Sequence, residues 1–218
     1  GRTIIDRLGN RDEVSEIIGL ECNEDTVNRA NIIQANTKAR FFTCDIEADD
    51  FPEQLREIME DNQISSFDII HLSMIILHLK NPFKVLKNLR RVLKPGGLFY
   101  ILDIDDGFNI VYPDEHKEFE RVVGICNYLE GSGYRQSGRQ IYSYLKKIGL
   151  EKIVLEKQGI NTIGMNYEER DALFKMYFSF IPEDFKIMAE KRNLNKCEAE
   201  DLEWLLEHYD LLEELPHQ

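Results

Sequence analysis

Two acids, Glu21 and Asp45, stand at the carboxyl ends of two short apolar runs, Ile17-Ile18-Gly19-Leu20 and Arg40-Phe41-Phe42-Thr43-Cys44. A carboxylate in such a place can accept from both hydroxyls of a ribose, and an aspartate one unit later can accept from an adenine amino group. The competing reading is that both acids cap the helices behind them, since acids favour helix N-termini. A second group lies downstream. His116 is a candidate general base because imidazole titrates near neutral pH; its setting, Pro113-Asp114-Glu115-His116-Lys117, equally suits a solvated loop. Arg139 can hold a carboxylate or phosphate, with Tyr112 and Tyr134 lining an acceptor pocket, or it can be a surface arginine beside packed tyrosines. His71 reads as a core histidine and His78 as a packing or capping group.

The elements that must position these residues follow from periodicity. Arg2 to Arg11 carries Ile4, Ile5 and Leu8 on one helical face and stops at Gly9-Asn10. The run Ile17 to Glu21 suits a buried parallel strand, and Asn23-Glu24-Asp25 supplies cap chemistry for a helix carrying Val27, Ala30, Ile33 and Ala35. Arg40 to Asp45 is a second strand, Phe51 to Asp61 a helix and Phe67 to Leu72 a third strand. Asn81-Pro82 opens a helix through Leu93, which Lys94-Pro95-Gly96-Gly97 stops before a fourth strand, Leu98 to Asp103. Gly138 to Leu150 reads as a helix, Glu151 to Gln158 as a further strand, and Tyr167 to Leu215 as two or three helices. Strands alternating with helices over short connections predict an α/β, doubly wound and mostly parallel sheet, with ligands beyond the carboxyl ends of its strands. The stripe Phe174, Tyr177, Phe178, Phe180 and Phe185 is spaced for a buried helix face, or for a lid over an apolar acceptor.

Composition narrows the partners. Forty acids against 27 bases give the 218-residue chain a net charge of −13, which repels phosphate backbones and argues against nucleic acid. From Glu198 to the end there are 8 acids and no Lys or Arg, interleaved with apolar residues as on a solvated helix face. No apolar run is long enough to span a bilayer, so no membrane partner is expected. The 4 cysteines show no metal-ligand spacing, so no metal is expected; they read as reduced core or near-core thiols of a cytoplasmic protein.

The segment Phe67-Asp68-Ile69-Ile70-His71-Leu72-Ser73 through His78-Leu79, followed by Leu89-Arg90-Arg91-Val92-Leu93-Lys94-Pro95-Gly96-Gly97, resembles class I S-adenosylmethionine-dependent methyltransferases. The resemblance runs from Gly1 to about Leu150. It implies a Rossmann-like fold and S-adenosylmethionine as cofactor, with S-adenosylhomocysteine as product. Glu21 would be the ribose acid and Asp45 the adenine-side acid; Ile46 would flank the adenine, Ser73 would lie by the methionine moiety, and Gly1 would close the glycine loop. The series Asp105-Asp106-Gly107, Tyr112-Pro113 and Gly131 to Arg139 is similar to bacterial members grouped with small-molecule methyltransferases, although Tyr134 replaces the aspartate usual in that last motif.

Compared with that family, nothing before Gly1 supplies the first strand and most of the Gly-rich loop, and no last strand follows Leu215. The expectation is therefore of a chain trimmed at both ends, or completed by a partner segment. Residues 1–158 are read as the cofactor-binding domain, with a substrate-side insertion at about 107–137, and 159–218 as a helical lid or appendage. The leading function is methyl transfer to a small molecule. A nicotinamide-dependent Rossmann reductase and a non-catalytic protein of methyltransferase fold are the alternatives. Monomer and homodimer are both open.

Overall fold

The computed structural model describes residues 2–9, 11–110, 114–115, 117–126, 133–191 and 193–214. It contains two compact units, one of Gly1–Ser73 with Lys80–Leu102 and the other of Met74–Leu79 with Asp103–Gln218.

The first unit alternates helices and strands. Helix α1 (Arg2–Leu8) precedes β1 (Ile17–Glu21), α2 (Glu24–Ile33), β2 (Ala39–Thr43), α3 (Phe51–Asp61), β3 (Phe67–Ser73), α4 (Pro82–Val92) and β4 (Leu93–Leu102). Asn23 and Asn81 start α2 and α4 by accepting from the Thr26 and Lys84 amides at 2.8 and 3.0 Å, each satisfying an amide that has no partner within the helix. Phe51, Leu55 and Met59 of α3 and Val85, Leu86 and Leu89 of α4 are buried, as their helical spacing requires.

Every strand pairing among the described residues is parallel: β1 with β2, and β3 with β4. Among the described residues they form two two-stranded sheets, within the α/β class that the alternation of strands and helices predicts. The glycine pair expected to stop α4 lies inside β4. Phe67 faces Leu93 and Ile69 faces Leu98, so Lys94-Pro95-Gly96-Gly97 bulges opposite Asp68 alone. Gly96 takes φ +78°, which a side chain would resist, and Lys94 Nζ clamps both oxygens of Asp68 at 2.7 Å.

The second unit is mostly helical. It contains α5 (Glu118–Cys126), α6 (Gly138–Lys147), α7 (Tyr167–Phe178), α8 (Ile181–Lys191) and α9 (Lys196–Glu214). Val122, Ile125, Cys126, Phe174, Ile181, Phe185, Met188 and Leu205 form one apolar cluster, with Phe180 and Trp204 packed against it. Phe174 and Phe185 are therefore core residues. Arg121 lies 4.2 Å over the Trp204 ring and donates to Asp201 at 2.8 and 3.1 Å, which ties α5 to α9.

Three expectations need correction. Residues 151–158 form no strand; Val154 and Leu155 are exposed, because a strand needs an edge to bond with and no described edge pairs here. The helix read as carrying Val27, Ala30, Ile33 and Ala35 ends at Ile33, so Ala35 lies beyond it, and of these residues Val27 is the buried one while Ile33 and Ala35 are exposed. Cys44 and Cys126 are buried thiols, but Cys22 and Cys197 are exposed, one just past a strand end and the other on the first turn of α9; all four are free.

His71 is half-buried and stacks on Tyr100 across the β3–β4 ladder, with ring centroids 5.4 Å apart. Burial lowers its pKa below the ordinary 6.5, so the unfolded chain binds this proton more readily than the folded one. The contribution to stability is complete above pH 6.5 and is lost as pH falls toward the folded value. We expect urea midpoints to decline as pH is lowered from 7.5 to 5.5, and His71→Phe to flatten that decline. An unchanged slope in His71→Phe would refute the assignment.

Candidate active site

Parallel pairing sets Glu21 opposite Thr43, and the Cys44 amide donates to the Glu21 carbonyl at 2.9 Å, extending the ladder to the strand ends. Glu21, Cys22, Cys44 and Asp45 consequently emerge at the same end of β1–β2. Glu21 Oε1 accepts from the Asn23 amide at 3.2 Å and from Cys22 Sγ at 3.4 Å, which orients the carboxylate. That bond to Glu21 is the main cause of the raised Cys22 pKa, and the charge of Asp45 adds to it. Desolvation, reinforced by Asp45, pushes the Cys44 thiol up to about 11. Neither acid caps the following helix: Asn23 and Asp50 occupy those positions.

Asp45 is exposed and its Oδ1 accepts from the Glu47 amide at 2.9 Å, folding a tight turn that leaves Ile46 half-buried beside it. The turn borders a cleft of about 330 Å³ lined by Asp45, Glu47, Ala48, Lys80, Asn81, Lys84 and Val85. Such a volume falls at the lower end of small-molecule sites. Glu47 fixes one wall by accepting from the Asn81 amide at 2.9 Å, and Lys84 another by its 2.6 Å ion pair with Asp49, which holds that carboxyl below its usual range. Ser73 ends β3 opposite Leu102 and is half-buried.

In the second unit, the Asp-Asp-Gly segment and the Gly-Arg segment close on each other through two ion pairs. Asp105 takes Arg139 Nε at 3.0 Å and Nη2 at 2.7 Å, and this bond is the main reason the arginine's pKa rises. A Cβ at position 107 would meet Arg139 Nη2, so a larger residue there would require the arginine's tip to move. Asp106 and Arg135 are both buried and bond side chain to side chain, while the Asp106 amide donates to the Arg135 carbonyl at 2.8 Å. Arg139, read from sequence as a holder of substrate anions, thus gives two of its nitrogens to Asp105. Tyr134 is exposed and adds to the field on Arg139. Phe108 lies under Lys157 Nζ at 3.5 Å and 5.7 Å from the Arg139 guanidinium carbon. Gly1, Tyr112 and His116 lie outside the described residues.

Sequence reasoning missed Asp103, Asp106 and Arg135 as organising residues. The adjacent acids of Asp105-Asp106 and the arginines of Arg135 to Arg139 were visible, but their pairing depends on two segments about thirty residues apart meeting. Among the described residues no group of His, Cys, Asp and Glu could hold a metal, and no helix is long and apolar enough to cross a membrane.

A family described as a methyltransferase domain matches residues 4–149. The chain belongs to that methyltransferase family, of the class I S-adenosylmethionine-dependent type, and its α/β parallel pairings are those of the Rossmann-like class. No curated protein matches. Among solved structures, the YcgJ protein of Bacillus subtilis is similar at 17% identity over 86% of this chain and 72% of its own, with a TM-score of 0.49. The BH2331 protein of Bacillus halodurans C-125 is similar at 15% identity over 84% of this chain and 87% of its own, with a TM-score of 0.39.

The two ion pairs differ in burial, and their removal should differ in cost. Asp106→Asn leaves a buried guanidinium without its counterion, an expected loss of about 3–5 kcal/mol. Asp105→Asn, facing an exposed arginine whose charge water already screens, should cost far less. Urea unfolding of both variants measures the difference; equal losses would contradict the contrast in burial.

Proposed function

We propose that this chain binds S-adenosylmethionine and transfers its methyl group to a small-molecule acceptor. The observation that carries the reading is the meeting of Glu21 and Asp45 at one end of the β1–β2 ladder, with neither used as a helix cap. The local chemistry fits the donor: Glu21 is an oriented acceptor for two ribose hydroxyls, and Asp45 on the cleft rim is an acceptor for an exocyclic amine. Ile46 supplies an apolar flank for a ring, and Ser73 and Gly1 are assigned to the methionine end. When bound, S-adenosylmethionine supplies an electrophilic methyl on a positively charged sulfur.

The chain's own contribution is positioning: the acids fix the nucleoside so that the reacting groups meet at near-attack distance. A net charge of −13 favours a cationic donor and disfavours a nucleic-acid acceptor, which supports the small-molecule reading. On the acceptor side, His116 is assigned as general base, with Tyr112, Tyr134 and Arg139 lining the pocket; Arg139 acts there as a member of the Asp105 pair rather than as a free cation.

Isothermal titration with S-adenosylhomocysteine tests the reading. Glu21→Gln keeps shape and one acceptor but loses the charge, so affinity should fall about ten- to a hundredfold. Asp45→Asn keeps an oxygen for adenine and should cost about 1 kcal/mol. Melting temperatures should barely move in either variant. Unchanged binding in Glu21→Gln would remove the ribose assignment, and an absence of heat with the unsubstituted chain would remove the cofactor.

A further inference from the structure

The run Glu151-Lys152-Ile153-Val154-Leu155-Glu156-Lys157 lies within the helical unit and has the composition of a strand without the pairing of one. Isoleucine, valine and leucine stand side by side at its centre, and no proline interrupts it. Among the described residues none of its amides or carbonyls enters a backbone ladder. Val154 is 81% exposed and Leu155 71%, while Ile153 is half-buried. Unpaired backbone beside exposed apolar side chains is a template for another strand.

The order of charges decides which strand fits. About Val154 the run is its own complement: Ile153 mirrors Leu155, Lys152 mirrors Glu156 and Glu151 mirrors Lys157. Two copies laid antiparallel about a two-fold axis at Val154 set valine opposite valine and isoleucine opposite leucine, with an acid opposite a base at each outer rung. Other registers lose this match. With the axis at Leu155, Glu156 opposes Val154 and Lys157 opposes Ile153; with the axis at Ile153, Lys152 opposes Val154 and Glu151 opposes Leu155. Half-steps put Lys152 opposite Lys157 or Glu151 opposite Glu156, and parallel pairing in register stacks every like charge.

We propose that residues 151–157 are a homodimerisation strand, to which a second copy of this chain adds antiparallel in the register centred on Val154. Lys152 and Glu156 are exposed and have no ion-pair partner among the described residues, so no existing bond is lost when they meet the second copy. Lys157 Nζ rests 3.5 Å from the centroid of the Phe108 ring, a contact on one side that leaves ammonium donors for the second copy's Glu151. The net charge of −13 on each copy opposes association, but physiological salt screens it beyond ~8 Å, whereas the cross-strand pairs meet at contact distance. The interface is small, so the dimer is weak and forms with rising concentration.

Sedimentation of the full chain from about 10 µM to about 1 mM tests this, and a reversible dimer is the expected result. Lys152→Glu brings like charges face to face twice by symmetry and should raise the dissociation constant about tenfold; Glu156→Lys should do the same. Combining Lys152→Glu with Glu156→Lys should restore the dissociation constant to within about threefold, a rescue that misfolding cannot produce. Val154→Asp sets two carboxylates together on the axis and should abolish the dimer, with an unchanged circular dichroism spectrum because the side chain is exposed. A chain that stays monomeric at the highest concentration leaves the run to a strand of other origin and overturns the proposal. A dimer indifferent to the single reversals, or a double variant no tighter than the singles, places the interface elsewhere and overturns it too.

Discussion

A parallel strand pair cannot be closed by a hairpin, so each strand here returns through a helix before its neighbour begins. That constraint decides where chemistry can sit. Both strands of a pair run the same way, so whatever residue follows each strand emerges at the same end. Glu21 and Asp45 are distant in sequence, yet the register Ile17 to Ala39 through Glu21 to Thr43 brings them to one edge. The helices that follow the two strands start on other residues, Asn23 and Asp50, and so leave the acids available. The β3–β4 pair follows the same rule with an added device: four residues bulge opposite one, and the Lys94–Asp68 pair holds the bulge in shape.

In the helical unit, organisation comes from charge as much as from apolar packing. Asp103, Asp105 and Asp106 are near neighbours in the chain, yet their environments separate their tasks. Asp106 is buried with Arg135, where a missing partner would be expensive. Asp105 meets an arginine that is 43% exposed, where water screens the pair. Asp103 bonds to no cation among the described residues and is satisfied by amides and a hydroxyl. The three carboxylates tie one loop to Ile76–Leu77, to Arg135–Ser137 and to Arg139. The apolar cluster is built on α5, α7, α8 and α9, and Arg135 lies 5.2 Å from the ring of Phe180, which packs against it.

The acidity of the chain and the family's chemistry are compatible. A donor with a positive sulfur is attracted by a −13 surface that would repel a polyanion. Lys84 answers Asp49 and Arg139 answers Asp105, whereas Glu21 and Asp45 make no ion pair among the described residues.

Periodicity and punctuation were enough to locate β1, α3 and the start of α4, because alternation, helical spacing and caps such as Asn81 are properties of a few adjacent residues. The strand-end position of Glu21 was legible for the same reason, and so was the Phe-Asp to Pro-Gly-Gly series that marks the family. Sequence overreached at residues 151–158, where apolar character was present but a pairing edge was not, and at Ile33, whose face of α2 meets no covering element among the described residues. It was silent on the bonds of Asp103 and on the Asp106–Arg135 pair. Each of these depends on a partner about thirty residues away, and no local rule encodes which of several acids a distant arginine or amide will meet. The sequence determined which groups could do chemistry; the tertiary structure decided which of them were already engaged, because a hydrogen bond is made by proximity in space.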